Sequence, residues 1–406
     1  MIRCNTDRPF DAEVGRSRRH PGRRGRRLKR WLFVAVLVLH LPVGPAAVHE
    51  QVHAGEPQPQ PEHASGFELS YGDGYRVLTV LRPHPDAERP RRYLLLERGR
   101  EVPEQYRDLP RVRIPVERAV TGAAPLLAQF EVLDAPDRVV GHDNTRRIYS
   151  ETFRRRRDEG KLTTVGEPPQ MNIERVVSLD PDVVLINALG PHNETEHKLR
   201  EAGLPVMVLG DWLETDPLGR AEWLLVAGVL LQREKQAVKY LQEITSRYNG
   251  LAGKVREPLQ AANRPKALLN APFQGAWSVP GGDSYMARLL EDAGAEYPWA
   301  QSSGQGAIHL ELESVLGRAA DATVWLNPGT AESAADLLRL DPRLRAFRAF
   351  ETGRVYNFTA RTRPGGANDY FERGVLEPHH ILADLIHIMH PELLPEHRLR
   401  YFRSLR

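Results

Sequence analysis

Two loops that combine arginine with aromatic residues each follow a predicted strand. The first loop contains Arg146 and Tyr149, and the second contains Arg361, Arg363 and Tyr370. Guanidinium groups pair with carboxylates and other anions, and aromatic rings cover the apolar faces of a ligand. Since ligands of open α/β sheets bind at the carboxyl ends of the strands, these five residues are predicted to face a ligand-binding cleft.

Two tryptophans also follow predicted strands. Trp212 comes after the apolar strand 206–209, and Trp277 comes after the strand 266–271. An indole ring at a strand end either lines a cleft or packs inside its own domain. Both tryptophans are predicted to line the cleft, with packing inside a lobe as the alternative.

The sequence contains no motif that predicts catalysis. Neither a G-x-S-x-G nucleophile turn nor a phosphate-binding P-loop occurs. The segment Gly281–Ser284 is better explained as a helix cap than as a dinucleotide loop, and the adjacent pair His142 and Asp143 points its side chains apart. The chain is therefore predicted not to be an enzyme and to hold no resident cofactor or metal.

The elements that position these loops alternate between strand and helix. A short helix with apolar residues at helical spacing ends at Asp180-Pro181-Asp182, because proline cannot continue the helical hydrogen bonds. Buried strands at 183–186 and 206–209 flank a second helix. Apolar strands joined by a helix are typical of a parallel sheet.

The second half of the chain repeats this arrangement. The helix 310–316 and the strand 322–326 correspond to the helix at 173–179 and the strand 183–186. Between the halves, apolar residues at helical spacing run from Pro217 to about Leu259 and predict one long helix, about 40 Å in length. The predicted fold is α/β, with two lobes that each contain a mainly parallel sheet flanked by helices, joined by one long rigid interlobe helix.

Five domains follow from these patterns, beginning with a leader. Residues 16–30 are densely basic, the apolar run 31–41 follows, and small residues then offer a cleavage site, which is typical of a secretory signal peptide. The predicted parts are a signal peptide (1–54), a flexible spacer (55–65), an N-terminal lobe (66–215), an interlobe backbone helix (216–260) and a C-terminal lobe (261–395).

The single cysteine and the charge distribution limit the classes of function. Cys4 precedes the apolar run, whereas a lipid-anchored cysteine would follow it, so the chain is predicted to be a soluble periplasmic protein and not a lipoprotein. The first 54 residues have eleven basic and four acidic side chains, which leaves a net charge of −4 on residues 55–406 against +3 for the whole chain. Without a basic stripe on the folded part, no nucleic-acid binding is predicted.

Residues 172–184, NIERVVSLDPDVV, match a known family signature position by position. They resemble the Asn-Leu-Glu-x-Ile-x-x-Leu-x-Pro-Asp-Leu-Val segment of the class III, helical-backbone periplasmic substrate-binding proteins of iron-siderophore, cobalamin and haem ABC importers. The segment 137–141, DRVVG, and the run from Trp277 to Ala295 are similar to two further segments of that family.

The resemblance implies a function and a set of partners. The protein would capture an iron chelate or a cobalamin- or haem-like ligand between its lobes and deliver it to an inner-membrane ABC permease with its ATPase. A TonB-dependent outer-membrane receptor would act upstream, and the protein would be a monomer. An acidic residue early in one helix of each lobe docks on permease arginines in the family, which assigns that role to Glu174 and Glu313, with Glu311 as a rival.

Two alternatives remain open at the level of sequence. His142, His192, His309 and Asp369 could converge on a divalent or trivalent metal ion, as in metal-binding relatives, and Tyr149, Tyr370 or a histidine could be an axial ligand of haem. A sensory or enzymatic protein on the same fold is the other alternative.

Overall fold

The computed structural model describes residues 58–256 and 264–405. The predicted signal peptide, residues 1–54, therefore lies outside the described residues. The described residues cluster as one compact unit that contains both lobes.

A four-stranded sheet precedes the segment that carries the predicted cleft loops. Its strands pair in the order β1-β2-β3-β4, antiparallel except for the parallel pair β3/β4. One face packs into the first lobe, whereas Val77, Leu94 and Leu96 form a small separate cluster. The strands are β1 Phe67–Gly72, β2 Tyr75–Val80, β3 Arg91–Glu97 and β4 Arg111–Ile114.

The first lobe is built on a five-stranded parallel sheet, as its apolar strands predicted. The strands lie in the order β7-β6-β5-β8-β9. They are β5 Ala119–Thr121, β6 Val139–His142, β7 Thr163–Thr164, β8 Val183–Asn187 and β9 Val206–Leu209. The helices of this lobe are α1 Ala124–Val132, α2 Glu151–Asp158, α3 Ile173–Ser178 and α4 Glu194–Glu201.

The predicted single helix 216–260 is divided into three helices. They are α5 Pro217–Glu222, α6 Leu224–Leu231 and α7 Glu234–Arg256. Asp216 caps α5 by accepting hydrogen bonds from Leu218 N and Gly219 N. The chain leaves the helical conformation at Gln232, whose φ of 54° is left-handed and ends α6.

The longest of these helices contacts the cores of both lobes. Ala237 and Leu241 in the first half of α7 pack in the first-lobe core. Ile244, Tyr248 and Ala252 pack in the core of the second lobe. With 23 residues, α7 is about 35 Å long. It therefore contacts both lobes although it is shorter than the predicted helix of about 40 Å.

The second lobe contains a smaller sheet in the order β10-β14-β15-β18, parallel except for β18, and an antiparallel sheet β11-β12-β13. The strands are β10 Ala267–Leu269, β11 Pro272–Phe273, β12 Ala276–Pro280, β13 Ala307–Leu310, β14 Val324–Leu326, β15 Val355–Asn357, β16 Thr362–Arg363, β17 Ala367–Asn368 and β18 Arg403–Ser404. The helices are α8 Tyr285–Asp292, α9 Leu312–Ala319, α10 Ala334–Leu340, α11 Arg348–Glu351 and α12 Pro378–Met389.

The second lobe continues past its predicted end at residue 395. Strand β18 pairs with β15, and Tyr401, Phe402 and Leu405 are buried in the second-lobe core. The fully buried carboxylate of Asp384 accepts hydrogen bonds from the backbone N–H groups of residues 400–402. The boundary was missed because the sequence between α12 and this strand has no apolar periodicity.

The predicted flexible spacer is in part an ordered strap. Glu222 Oε2 accepts hydrogen bonds from the backbone N–H groups of residues 62–64. Glu214 accepts from Ser65 N and Gly66 N, and both carboxylates are almost fully buried. The strap crosses α5 closely, since a Cβ added to Gly219 would lie 2.8 Å from the carbonyl oxygen of His63. Within residues 58–256 and 264–405, none of the helices combines the length and the hydrophobicity of a membrane-spanning segment.

Candidate ligand-binding cleft

The two predicted arginine–aromatic loops meet at the carboxyl ends of the sheets. The loop after β6 and the loop after β15 approach so closely that a Cβ on Gly365 would lie 3.0 Å from the carbonyl oxygen of Arg146. Gly365 has a φ of 90°, which favours glycine. The sheet architecture therefore places residues more than 200 positions apart on the two sides of one cleft.

Tyr149 is covered by two arginines from the opposite lobe. The guanidinium carbon of Arg361 lies 5.1 Å from the centre of the Tyr149 ring, and that of Arg363 lies 4.9 Å away. Both distances are within the range of cation–π attraction. The arginines are also paired, Arg361 with Asp369 at 2.6 Å and Arg363 with Glu151 at 3.5 Å.

The hollow beside these side chains has a volume of about 250 Å³ and is lined by charged groups from both lobes. First-lobe residues and second-lobe residues both contribute to it. Its lining includes Glu131, Tyr149, Ser150, Glu151, Arg361, Arg363, Asp369, Glu372, Arg373 and Arg400. A larger hollow of about 730 Å³ lies against α8, but none of the predicted cleft residues lines it.

Several buried polar atoms at the strand ends have no hydrogen-bond partner within residues 58–256 and 264–405. They include Arg363 Nε, Asn187 Oδ1 at the end of β8, Asn327 Oδ1 just after β14, and Trp212 Nε1 after β9. Buried polar groups are normally hydrogen-bonded. Their shared position at the carboxyl ends of strands fits a ligand that supplies both donors and acceptors.

Three exposed apolar side chains lie on segments at the same edge of the sheets. Leu189 follows β8 and is 83% exposed, Phe273 follows β10 and is 75% exposed, and Phe371 follows β17 and is 49% exposed. Large apolar side chains that stay in water frequently mark a binding surface. Phe371 also contacts Phe358 and Tyr370 edge-on, which fixes its ring.

The structure separates the predicted cleft residues into two groups. Arg361 and Arg363 both contact Tyr149, and Trp212 is half-buried after β9. Arg146 is exposed on the adjoining turn. Trp277 and Tyr370, the other two residues predicted to line the cleft, do not line it.

Trp277 and Tyr370 belong to the second-lobe core. Trp277 is fully buried, stacks on Trp325 and donates a hydrogen bond to Leu269 O. Its side chain is directed into the core because buried and partly exposed positions alternate along β12. Tyr370 is 4% exposed and stacks on Phe358, so it supports the cleft wall from behind.

Glu372 is a cleft residue that sequence reasoning missed. Its buried carboxylate accepts hydrogen bonds from Tyr149 N at 2.6 Å and Ser150 N at 2.8 Å. Burial raises the pKa of Glu372 to about 7, although the two N–H groups act in the opposite direction. No motif marks this residue, since its partners are backbone groups more than 220 positions earlier.

Of the four residues considered for a direct metal site, three are bonded to neighbouring side chains and the fourth is exposed on a loop. His142 bonds Thr121 and also Asp143, so the prediction that the His142 and Asp143 side chains point apart is wrong; His309 bonds Ser278. Asp369 pairs with Arg361, and His192 is exposed on a loop of the first lobe. Among the described residues, no group of three or more His, Cys, Asp or Glu side chains is placed to hold a metal ion.

The predicted docking carboxylates occupy equivalent positions in the two lobes. Glu174 and Glu313 are each the second residue of their helix, α3 and α9, and both are exposed. Glu311, the rival, is the residue that precedes α9. Glu313 pairs with Arg343 at 2.6 Å, and Arg343 is itself held by Asp341.

Two curated relatives correct the prediction about location. Both are uncharacterized lipoproteins of Methanocaldococcus jannaschii. One is 23% identical over 72% of this chain and 69% of its own length, and the other is 25% identical over 78% and 80%. The prediction of a periplasmic protein that is not a lipoprotein is therefore wrong. It rested on the position of Cys4 before the apolar run, and both features lie outside the described residues.

Solved structures of binding proteins share the fold. A periplasmic heme binding protein from Pseudomonas aeruginosa superposes with a TM-score of 0.53 at 20% identity, covering 72% of this chain and 98% of its own. The periplasmic heme binding protein HutB of Vibrio cholerae superposes with a TM-score of 0.51 at 20% identity, covering 65% of this chain and 98% of its own. FeuA of Bacillus subtilis, a triscatecholate siderophore binding protein, superposes with a TM-score of 0.50 at 18% identity, covering 68% of this chain and 93% of its own.

The family model described as "Periplasmic binding protein" matches residues 121–362, which is more than half of the chain. This range begins at the end of β5 and ends at the cleft arginines. It includes strands β6 to β9 of the first-lobe sheet, the connecting helices and most of the second lobe. The chain therefore belongs to the periplasmic binding protein family.

Proposed function

We propose that this protein is the substrate-binding component of an ABC importer and that it binds an anionic iron chelate or a haem- or cobalamin-like macrocycle between its lobes. The observation that supports this proposal most is the group of Arg361, Arg363 and Tyr149, which joins two cations and an aromatic ring from opposite lobes. The solved relatives are named as heme- and siderophore-binding proteins, which is the same class of ligand.

The charge and shape of the cleft favour a ligand with acidic groups and an apolar face. Arg363 has a buried Nε that no described residue hydrogen-bonds, and its ion pair with Glu151 is long, at 3.5 Å. A carboxylate, catecholate or phosphate oxygen of a ligand would replace Glu151 at this guanidinium. Phe371 and the exposed Leu189 and Phe273 would cover the apolar part.

Delivery to a permease would use the exposed carboxylate of each lobe. Glu174 has no ion-pair partner in the part of the chain that the structure describes, whereas Glu313 is paired with Arg343. Exposed ion pairs stabilise by only about 0–1 kcal/mol, so a permease arginine can replace Arg343. The two carboxylates would then contact the permease on both sides of the cleft.

The proposal is tested by tryptophan fluorescence of the purified protein. The probes are ferric siderophores of the catecholate and hydroxamate classes, haemin, cobalamin and simple divalent metal ions. Saturable quenching by one chelate or macrocycle is expected, since Trp212 follows β9 near the cleft. Saturation by a bare metal ion alone would contradict the proposed ligand class, and the absence of any response would contradict the transport function.

The cleft arginines are tested with the ligand found in that titration. Arg361→Ala and Arg363→Ala should each weaken binding roughly 10- to 100-fold, because a hydrogen-bonded charge contributes about 1.5–3 kcal/mol. Arg345→Ala is the matched control, since Arg345 is an exposed arginine of the same lobe whose side chain bonds Pro342 O. Unchanged affinity in both cleft variants would place the ligand elsewhere.

A further inference from the structure

The contacts between the lobes concentrate at one end of the cleft. Besides the contacts of Arg361, Arg363 and Gly365 with the loop after β6, they come from the segment Tyr370–Leu376, which begins with a π-helical turn, Tyr370–Gly374. Single π turns are frequently associated with functional sites. This turn packs against α1 of the first lobe, and Leu376 is buried in the first-lobe core although the segment belongs to the second lobe.

Polar contacts reinforce this junction. Glu372 accepts the N–H groups of Tyr149 and Ser150, which immediately precede α2. A carboxylate at a helix N-terminus is stabilised by the free N–H groups and by the helix dipole. The next residue, Arg373, pairs with Glu131 of α1 at 3.2 Å, and Glu131 also accepts a hydrogen bond from Ser150 Oγ.

The order of the strands places the other cleft loops away from this junction. In the first lobe, β6 and β8 lie on opposite sides of β5, so the loop that carries Leu189 is separated from the loop that carries Tyr149. In the second lobe, β10 and β15 lie on opposite sides of β14, which separates Phe273 from Arg361. Both exposed apolar side chains therefore lie toward the end of the cleft that the segment Tyr370–Leu376 does not bridge.

We propose that the segment Tyr370–Leu376 is a fixed anchor that joins the lobes at one end of the cleft. Within it, Glu372 is a positioning residue for Tyr149. The cleft therefore opens and admits its ligand at the other end, which carries Leu189 and Phe273. The anchor itself is independent of the ligand. Only the role of Tyr149 in holding the ligand rests on the proposed function.

The anchor is tested by spin-label distance measurements on the full chain without ligand, in a Cys4→Ser background. One labelled pair, Asp158→Cys with Thr362→Cys, reports on the anchored end, and the other, Leu189→Cys with Phe273→Cys, reports on the opening end. All four positions are exposed. The anchored pair should give a narrow distance distribution, and the opening pair should give a broad one. Equal widths for the two pairs would overturn the proposal.

Variants of Glu372 separate the anchor from general stability. Glu372→Ala should shift the anchored pair to longer distances and broaden its distribution, and Glu372→Gln, which keeps one acceptor oxygen, should give an intermediate result. Asp384→Asn is the matched control, because it removes a buried carboxylate whose hydrogen bonds stay within the second lobe. The proposal fails if Glu372→Ala leaves the anchored pair unchanged or if Asp384→Asn broadens it equally. These distances respond to the anchor even if no chelate binds, so a failure of the proposed function is recognised separately.

Discussion

Tyr149 receives contacts through both its side chain and its backbone. Its ring lies beneath Arg361 and Arg363, and its N–H group donates to Glu372. The cation–π contacts were within reach of sequence reasoning, because arginines after one strand and an aromatic residue after another are expected at the same sheet edge. The backbone contact was not, since any residue type at position 149 could donate that hydrogen bond.

Glu372 should make the stability of the protein depend on pH. Its pKa is raised from 4.5 to about 7 by burial and by Asp369, against the opposing effects of two N–H groups and His142. The folded state therefore retains a proton that the unfolded state loses, so the free energy of unfolding should decrease between about pH 4.5 and pH 7, by roughly 3 kcal/mol. Urea denaturation across this range measures the slope.

Glu372→Gln is expected to remove that slope, because the amide does not titrate. Glu351→Gln provides the control, since Glu351 is exposed at the end of α11. A slope that persists unchanged in Glu372→Gln would assign the pH dependence to another group.

His379 should produce a slope of the opposite sign. It is 5% exposed, neither ring nitrogen has a hydrogen-bond partner among the described residues, and burial lowers its pKa from 6.5 to about 3. Below pH 6.5 the imidazole of His379 is protonated in the unfolded state but stays neutral in the folded state. The free energy of unfolding therefore decreases as the pH falls from 6.5 toward 3. His379→Leu should be more stable than the wild type at pH 5, and the difference should shrink at pH 8.

Thermal unfolding at the two pH values checks this expectation. His192→Leu is the control, since His192 is an exposed histidine on a loop of the first lobe. An equal gain for both variants would show that the effect comes from general hydrophobicity.

At the scale of elements, the predicted long helix is divided between α6 and α7, where the pattern of burial changes. The spacing of apolar residues alone did not indicate this division. Every residue of α6, Leu224–Leu231, is buried, whereas α7 has one buried face. A helix that is apolar on all sides belongs inside a core, and one with a single apolar face belongs at a surface. The change from one pattern to the other near Gln232 was the available signal for two helices.

The left-handed residue between α6 and α7 should be sensitive to branching at Cβ. Gln232→Val is expected to lower the free energy of unfolding by roughly 1 kcal/mol, since a β-branched side chain adds crowding to the left-handed cost of about 1–2 kcal/mol that the unbranched glutamine already carries. Gln232→Gly should be neutral or slightly stabilising. Urea denaturation measures both. Gln242→Val, at an exposed position of α7, should cost only a few tenths of a kcal/mol; an equal cost at both sites would contradict the argument.

At the scale of the whole molecule, the sequence predicted the architecture well and the cleft only in part. Residues 172–184 correspond to the capped helix α3 and the start of β8, as the family signature implied. The parallel first-lobe sheet followed from the apolar strands alone. The cross-lobe contact of Glu372 with the backbone of Tyr149 and Ser150 could not be predicted, because it depends on how both lobes pack on α7.

The two carboxylates proposed to dock on a permease, Glu174 and Glu313, should act together and without affecting ligand binding. Glu174→Lys combined with Glu313→Lys is expected to abolish ligand-stimulated ATP hydrolysis by the cognate permease complex in lipid vesicles, because lysine repels permease arginines. Ligand affinity should stay unchanged, since neither residue lines the cleft hollow. Glu201→Lys with Glu351→Lys is the matched control on exposed acids of the same two lobes. Full stimulation by the docking variant would refute this role.

The strap formed by residues 62–66 sets a limit on how far the chain can be shortened from its N-terminal side. Proteolytic trimming beyond Gly66 would leave Glu214 and Glu222 as buried carboxylates that have lost their backbone donors. Buried charges without partners are strongly destabilising. Any maturation event, and any expressed fragment, must therefore retain the segment from about Gln60 onward, whose amide also bonds Leu69 O.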